Sequence, residues 1–150
     1  MNPRADAWVV DTCVVLDVLE QDAQHGPSSA EQLDRIGAVQ GLVICPITAI
    51  ELAPAFGADQ QRQQYFLSQL GIAGDLGWLH HDTITAQVAW TRWRIRRKED
   101  PTLPRRPVSD VLIGAWASRH RGLITRNPQD FRVIFPDLTL LVPGAETATD

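Results

Sequence analysis

Cysteine is scarce in this 150-residue chain, with only Cys13 and Cys45. Each stands inside an apolar run, VVDTCVVL and LVICP, where a free thiol behaves as a small hydrophobe. A disulfide framework is thereby excluded as the source of stability. Two core thiols, with no long apolar stretch in MNPRADAWVVD, lead to the expectation of a reducing, cytoplasmic setting. Long hydrophobic runs are missing as well. No segment reaches the ~20 unbroken apolar residues of a membrane-spanning helix, so no membrane is expected among its partners. No glycine-rich loop follows the first apolar run, which argues against nucleotide-cofactor binding. No internal repeat, low-complexity tract or linker divides the chain. A domain of this length buries roughly 68–70% of the surface its unfolded chain exposes, enough for one core without staples. One domain is expected over residues 1–143, followed by a polar tail at 144–150.

Acidic residues outnumber basic ones, 18 to 14, and the net charge of −4 taken alone argues against nucleic acid. The distribution argues otherwise. Half of the basic residues fall between Arg92 and Arg106: Arg92, Arg94, Arg96, Arg97, Lys98, Arg105 and Arg106. Six of these seven are arginines, whose planar fork suits phosphate. An acidic chain with one local basic patch fits an acidic metal site beside a phosphate-binding rim.

Trp8–Val10 reads as a short buried strand ending at Asp11, and Val14–Glu20 as a short helix. Ser28-x-x-Glu31 has the pattern of a capping box, so a helix is expected from about Ser29 to Gln40, stopped by Gly41. Leu42–Cys45 reads as a second strand closed by Pro46. Thr48-x-x-Glu51 repeats the capping pattern for a helix near Ile47–Phe56, which Pro54 weakens or kinks. Asp59–Leu70 is amphipathic, Gly77–His80 suggests a third strand, and Asp82 opens a long helix to about Lys98. Pro101, Pro104 and Pro107 mark a stiff loop. Ser109 is a good N-cap for a helix to about His120, with Asp110 in its first turn. Leu123–Thr125 and Thr139–Val142 read as the last two strands. Short apolar strands alternating with helices predict an α/β fold whose parallel sheet is covered on both faces.

Sites in such sheets form outside the carboxyl ends of the strands. Asp11 ends the first strand, and Asn127 and Asp130 follow the fourth. Asp110 opens the helix before that strand, and Glu51 lies in the helix after the second. The topology therefore gathers four carboxylates and one amide on one rim. Asp17 and Asp22 are read as solvated, and His80 and His81 as structural residues ending a strand on that rim. Two charges ~5 Å apart repel by roughly 3 kcal/mol at an effective dielectric near 20, so such a cluster calls for a cation or a proton. All-oxygen donors suit Mg²⁺ or Mn²⁺, and a cation held this way can hydrolyse phosphodiesters.

VVDTCVVLDVL, ITAIEL, PVSDVLIGAWA and LITRNPQDF, in that order and at this spacing, resemble the PIN-domain family over nearly the whole chain, from Trp8 to about Pro143. Within it the pattern is most similar to the VapC-type toxins of bacterial type II toxin–antitoxin pairs. The resemblance implies a three-layer α/β/α sandwich with a central parallel sheet. It also implies an endoribonuclease dependent on Mg²⁺ or Mn²⁺, with Asp11, Glu51 and Asp110 as its acids. The family's fourth acidic slot is here Asn127, with Asp130 downstream as a further candidate for catalysis and metal binding. A neutral ligand there weakens a second metal. Thr12 and Thr125 match the family's hydroxyl positions and are expected to support the site. A cognate antitoxin and a homodimer are the implied partners, beside the RNA substrate.

Arg94, Arg96, Arg97, Arg105 and Arg106 are the candidate RNA-binding residues, through phosphate contacts. Tyr65, Phe66, Trp90 and Trp93 are candidates for a dimer interface or for the core. Two alternatives stand beside the nuclease. One is a PIN-like RNA-binding module with weak catalysis. The other is a different phosphoryl-transfer α/β hydrolase, against which Asp11-Thr12-Cys13 lacks the Asp-x-Asp of an aspartyl nucleophile.

Overall fold

The strands of this protein are short and apolar on both faces, as a sheet covered from both sides requires. The structure, a computed structural model, describes residues 5–74, 76–103 and 107–145. Strands β1 (Trp8–Val10), β2 (Leu42–Val43), β3 (Ile72–Ala73), β4 (Gly122–Ile124) and β5 (Leu140–Leu141) form one sheet in the order β3-β2-β1-β4-β5. Every neighbouring pair is parallel, with Trp8 opposite both Leu42 and Gly122. The helices are α1 (Thr12–Leu19), α2 (Gly26–Gly37), α3 (Pro46–Leu52), α4 (Gln60–Gln69), α5 (His80–Glu99), α6 (Val108–Ala117) and α7 (Pro128–Ile134).

Alternation along the strands splits the core in two. Trp8, Val10, Leu42, Ile44 and Ile124 face one layer, where Val14 and Val15 of α1, Leu33 of α2, Leu52 of α3 and Leu67 of α4 meet them. Val9, Val43, Cys45 and Leu123 face the other, against Ala89 and Trp93 of α5, Val111 and Trp116 of α6, and Phe131 and Ile134 of α7. The result is a three-layer α/β/α sandwich. The chain leaves β1 for β2 through α1 and α2 on one face and reaches β4 through α5 and α6 on the other. The β1/β4 junction is therefore the topological switch point, beyond which ligands bind in open sheets of this kind.

Several sequence expectations shift. The third strand lies at Ile72–Ala73 rather than Gly77–His80. Gly71, with φ of 73°, reverses the chain after α4, and Ile72 at once pairs with Leu42. Gly77 instead offers its carbonyl to Trp116 and Arg119. Neither Ser/Thr-x-x-Glu pattern caps a helix. α2 starts at Gly26 after His25, with Ser28 Oγ bonded back to the His25 carbonyl, and α3 starts at Pro46 after Cys45. Proline at the first helical position gives up an N–H that would be unpaired anyway. α6 starts at Val108 with Pro107 as its N-cap residue, so Ser109 is inside the helix. Pro54 turns the end of the third helix into a 3₁₀ turn at Ala53–Phe56, because it has no N–H to continue the α pattern. α7 was not expected at all, although Pro128 and Asp130 are both first-turn residues.

Asp82 and Arg119 form an ion pair (2.7 Å) that joins the start of α5 to the end of α6, so the two helices run antiparallel. His80 and His81 consequently sit at the far end of α6 from Asp110 rather than on the rim with it. Arg94, Arg96 and Arg97 lie at the other end of α5, whose chain continues into the start of α6. Arg105 and Arg106 lie outside the described residues, as does the chain beyond 145. Trp93 is buried at 3% exposure and belongs to the core rather than to an interface, whereas Tyr65 is exposed. Among the described residues, no helix is long and apolar enough to cross a membrane.

Candidate active site

Asp11 is the first residue past β1 and the N-cap of α1, the point at which the backbone leaves the sheet and its side chain can bond the helix's first amide. It is buried at 6% exposure, and its carboxylate is held from the protein side. Oδ1 accepts the Thr12 N–H at 2.8 Å; Oδ2 accepts the Thr125 hydroxyl at 2.7 Å and the Cys13 thiol at 3.3 Å. A carboxylate offers about four lone-pair positions, so what remains open lies on Oδ1. Burial raises the pKa of Asp11; the bonds from Thr125, Cys13 and Thr12 pull the other way, and the charge of Glu51 adds to the rise. The Cys13 thiol is pushed up to about 12 by burial and then by Asp11, so it remains a protonated donor. Burial takes Cys45 to about 12 as well.

Glu51 lies near the end of α3 and is exposed. Its Oε1 accepts the Thr12 hydroxyl at 2.7 Å, and that hydroxyl also lies 3.1 Å from the buried Thr48 Oγ1. Thr12 thus links the Asp11 turn to α3. Asp110 is in the first turn of α6, half-buried. Its pKa is raised to about 6, first by burial and then by the charges of Asp11, Asp130 and Glu51. That dependence puts Asp11, Asp130 and Glu51 each within electrostatic reach of Asp110. Asp130, in the first turn of α7, and Asn127, which precedes α7, are both exposed. The Asn127 N–H donates to Thr125 Oγ1 at 3.1 Å, so Thr125 ties Asn127 to Asp11.

The rim is open. Among the described residues, a cavity of about 580 Å³ lies away from the rim, between α3 and α4. Among the described residues, no three His, Cys, Asp or Glu side chains stand close enough together to hold a metal as placed. The donors nevertheless fit a hard divalent cation in kind, and the repulsion that lifts Asp110 is what such a cation relieves. Mg²⁺ needs only one or two carboxylates and keeps several waters, so a closed cage is not required.

Sequence reasoning missed three contributors. Cys13 was assigned only to the core, yet it donates to Asp11. Asp17, expected in solvent, is buried at 3% exposure and paired with Arg126, which no local signal singled out. A helix register calculation could have placed Asp17 on the buried side of α1; nothing local could have named its partner.

The PIN domain family model matches residues 8–134, and the chain belongs to that family. PIN domains are generally nucleases, and they typically use divalent metal ions. No curated protein matches the chain. Among solved structures it is similar to VapBC2 from Rickettsia felis, determined bound to a DNA fragment from the promoter of that pair. The TM-score is 0.60 at 17% identity, covering 91% of this chain and 98% of that one, which establishes a shared fold.

Proposed function

We propose that this protein is a metal-dependent endoribonuclease that hydrolyses RNA phosphodiester bonds and serves as the toxin of a toxin–antitoxin pair. The observation that carries the reading is the coupling of Asp110, lifted to about 6 by burial and by the charges of Asp11, Asp130 and Glu51, which come from three other segments around the switch point. Mg²⁺ or Mn²⁺ would be held by these four acids and, when bound, would activate a water and stabilise the leaving oxygen. Asp11 would offer the metal the position left free on Oδ1, because Thr125 and Cys13 occupy Oδ2. Thr12 orients Glu51, and Thr125 sets Asn127, a neutral donor that suits one metal better than two. Arg94, Arg96 and Arg97, at the end of α5 that leads to Asp110, would take the phosphates of a single strand, with Arg105 and Arg106 as further candidates. An open rim accommodates a polymer better than an enclosed pocket would. A cognate antitoxin, a homodimer and a cytoplasmic location complete the proposal.

The test is cleavage of RNA with Mn²⁺ and with chelator, for the wild type, Asp11→Asn and Asp110→Asn. Chelator and either substitution should each reduce cleavage by at least 100-fold. A second reading, an RNA-binding module with weak catalysis, is favoured by the spacing of the carboxylates. RNA binding without Mn²⁺-dependent cleavage would establish it instead.

A further inference from the structure

Close to the carboxylate rim lies an ion pair that the catalytic reading does not use, with its aspartate buried and its arginine 31% exposed. Asp17, in the second turn of α1, receives a two-pronged bond from Arg126: Nε to Oδ2 at 2.8 Å and Nη2 to Oδ1 at 2.9 Å. Ser29 Oγ of α2 adds a third bond to Oδ2 at 3.2 Å. A part-buried ion pair of this kind adds little net stability, but the planar guanidinium fork specifies orientation.

The placement of Arg126 gives that orientation a consequence. It stands between Thr125, whose hydroxyl donates to Asp11, and Asn127, whose N–H donates to Thr125. Successive residues leaving a strand project to opposite faces. Thr125 therefore reaches the Asp11 end of α1 from one face, while Arg126 reaches Asp17 on the other. A single tether at Thr125 would be a pivot. The second, on the same short helix, removes rotation about it. The segment held in this way carries Asn127 and, one turn on, Asp130.

We propose that the Asp17–Arg126 fork positions the β4–α7 loop, setting where Asn127 and Asp130 stand relative to Asp11 and Asp110 and so tuning affinity for a divalent cation. Arg126 and Asp17 are positioning residues in this scheme. The inference rests on the metal-dependent reading above.

The test is Mn²⁺ affinity, read from the electron paramagnetic resonance of free Mn²⁺, together with thermal melts. Arg126→Lys keeps the charge and loses the fork. Asp17→Asn combined with Arg126→Gln removes both charges and leaves none buried alone. Asp82→Asn breaks the Asp82–Arg119 ion pair, at the far end of α6, and controls for stability. Expected results are a 10-fold or greater weakening of Mn²⁺ binding in both fork variants, and wild-type affinity in Asp82→Asn despite a lowered melting temperature. Unchanged affinity in folded fork variants overturns the proposal. So does equal weakening in Asp82→Asn, since affinity would then follow stability alone. A wild type that binds no Mn²⁺ overturns the functional reading and this inference with it.

Discussion

Replacing Asp110 with Asn should make the metal-free protein more stable at neutral pH while destroying its response to a divalent cation. Asp110 is half-buried among like charges, and its pKa rises from the ordinary 3.8 to about 6. For an acid raised in this way, the folded state binds more protons than the unfolded state between those two values. Stability is thus highest below pH 3.8, falls as pH rises through the window to about 6, and stays flat above it. At about 1.36 kcal/mol per pKa unit the full cost would be about 3 kcal/mol; solvent screening of a half-buried group reduces it to about 1–2 kcal/mol. Asn forfeits the interaction of a first-turn carboxylate with the helix dipole, about 0.3–1 kcal/mol. The net gain is then on the order of 1 kcal/mol, or about 2–4 °C for a domain of this size. The assay is a melt of both proteins in chelator at pH 7 and pH 4, repeated with millimolar Mn²⁺. In chelator, the variant should melt higher at pH 7 and equal the wild type at pH 4. A cation at 100 times its dissociation constant adds about 2.7 kcal/mol to the wild type, which reverses the order at pH 7. A variant several degrees below the wild type in chelator at pH 7 would refute the repulsion argument.

Asp11→Asn should behave differently, because Asp11 accepts from Thr12, Thr125 and Cys13; a drop in melting temperature in chelator is expected, and an increase would mean that repulsion outweighs those bonds. If α5 tracks RNA, log affinity should fall with log salt by about 0.7 per phosphate contact, and Arg94→Ala with Arg96→Ala should reduce that slope by more than one; an unchanged slope assigns these arginines to a solvated face. Gly122→Ala would put a Cβ 2.5 Å from the Thr139 carbonyl oxygen and from the Trp8 ring, so a loss of about 1–3 kcal/mol is expected, and a wild-type melting curve would contradict the packing described. Light scattering should give a dimer mass; a monomer at high concentration counts against the homodimer.

What was legible in the sequence was local. VVDT marks a buried strand ending in a charge because alternation and burial act over a few residues, and the order of strands and helices implies a parallel sheet through connection length alone. Asp11, Glu51, Asp110 and Asp130 could be nominated as candidates for the same reason: each falls near the end or start of an element, and such sheets gather the carboxyl ends of their strands at one edge. Local competition produced the misreadings. Pro46 at the first helical position of α3 displaced the threonine cap, α2 and α6 began ahead of their serines at Gly26 and Val108, and Gly71 pulled the third strand forward from Gly77–His80. Tertiary structure alone decided how the acids are held. Asp17 and Arg126 are 109 residues apart, and Thr125 and Asp11 are 114 apart. No propensity or spacing couples such positions. They meet because β4 inserts beside β1 after the chain has crossed the sheet, and only that crossing explains why the buried aspartate that caps α1 is bonded by Thr125 while the one within α1 is forked by Arg126.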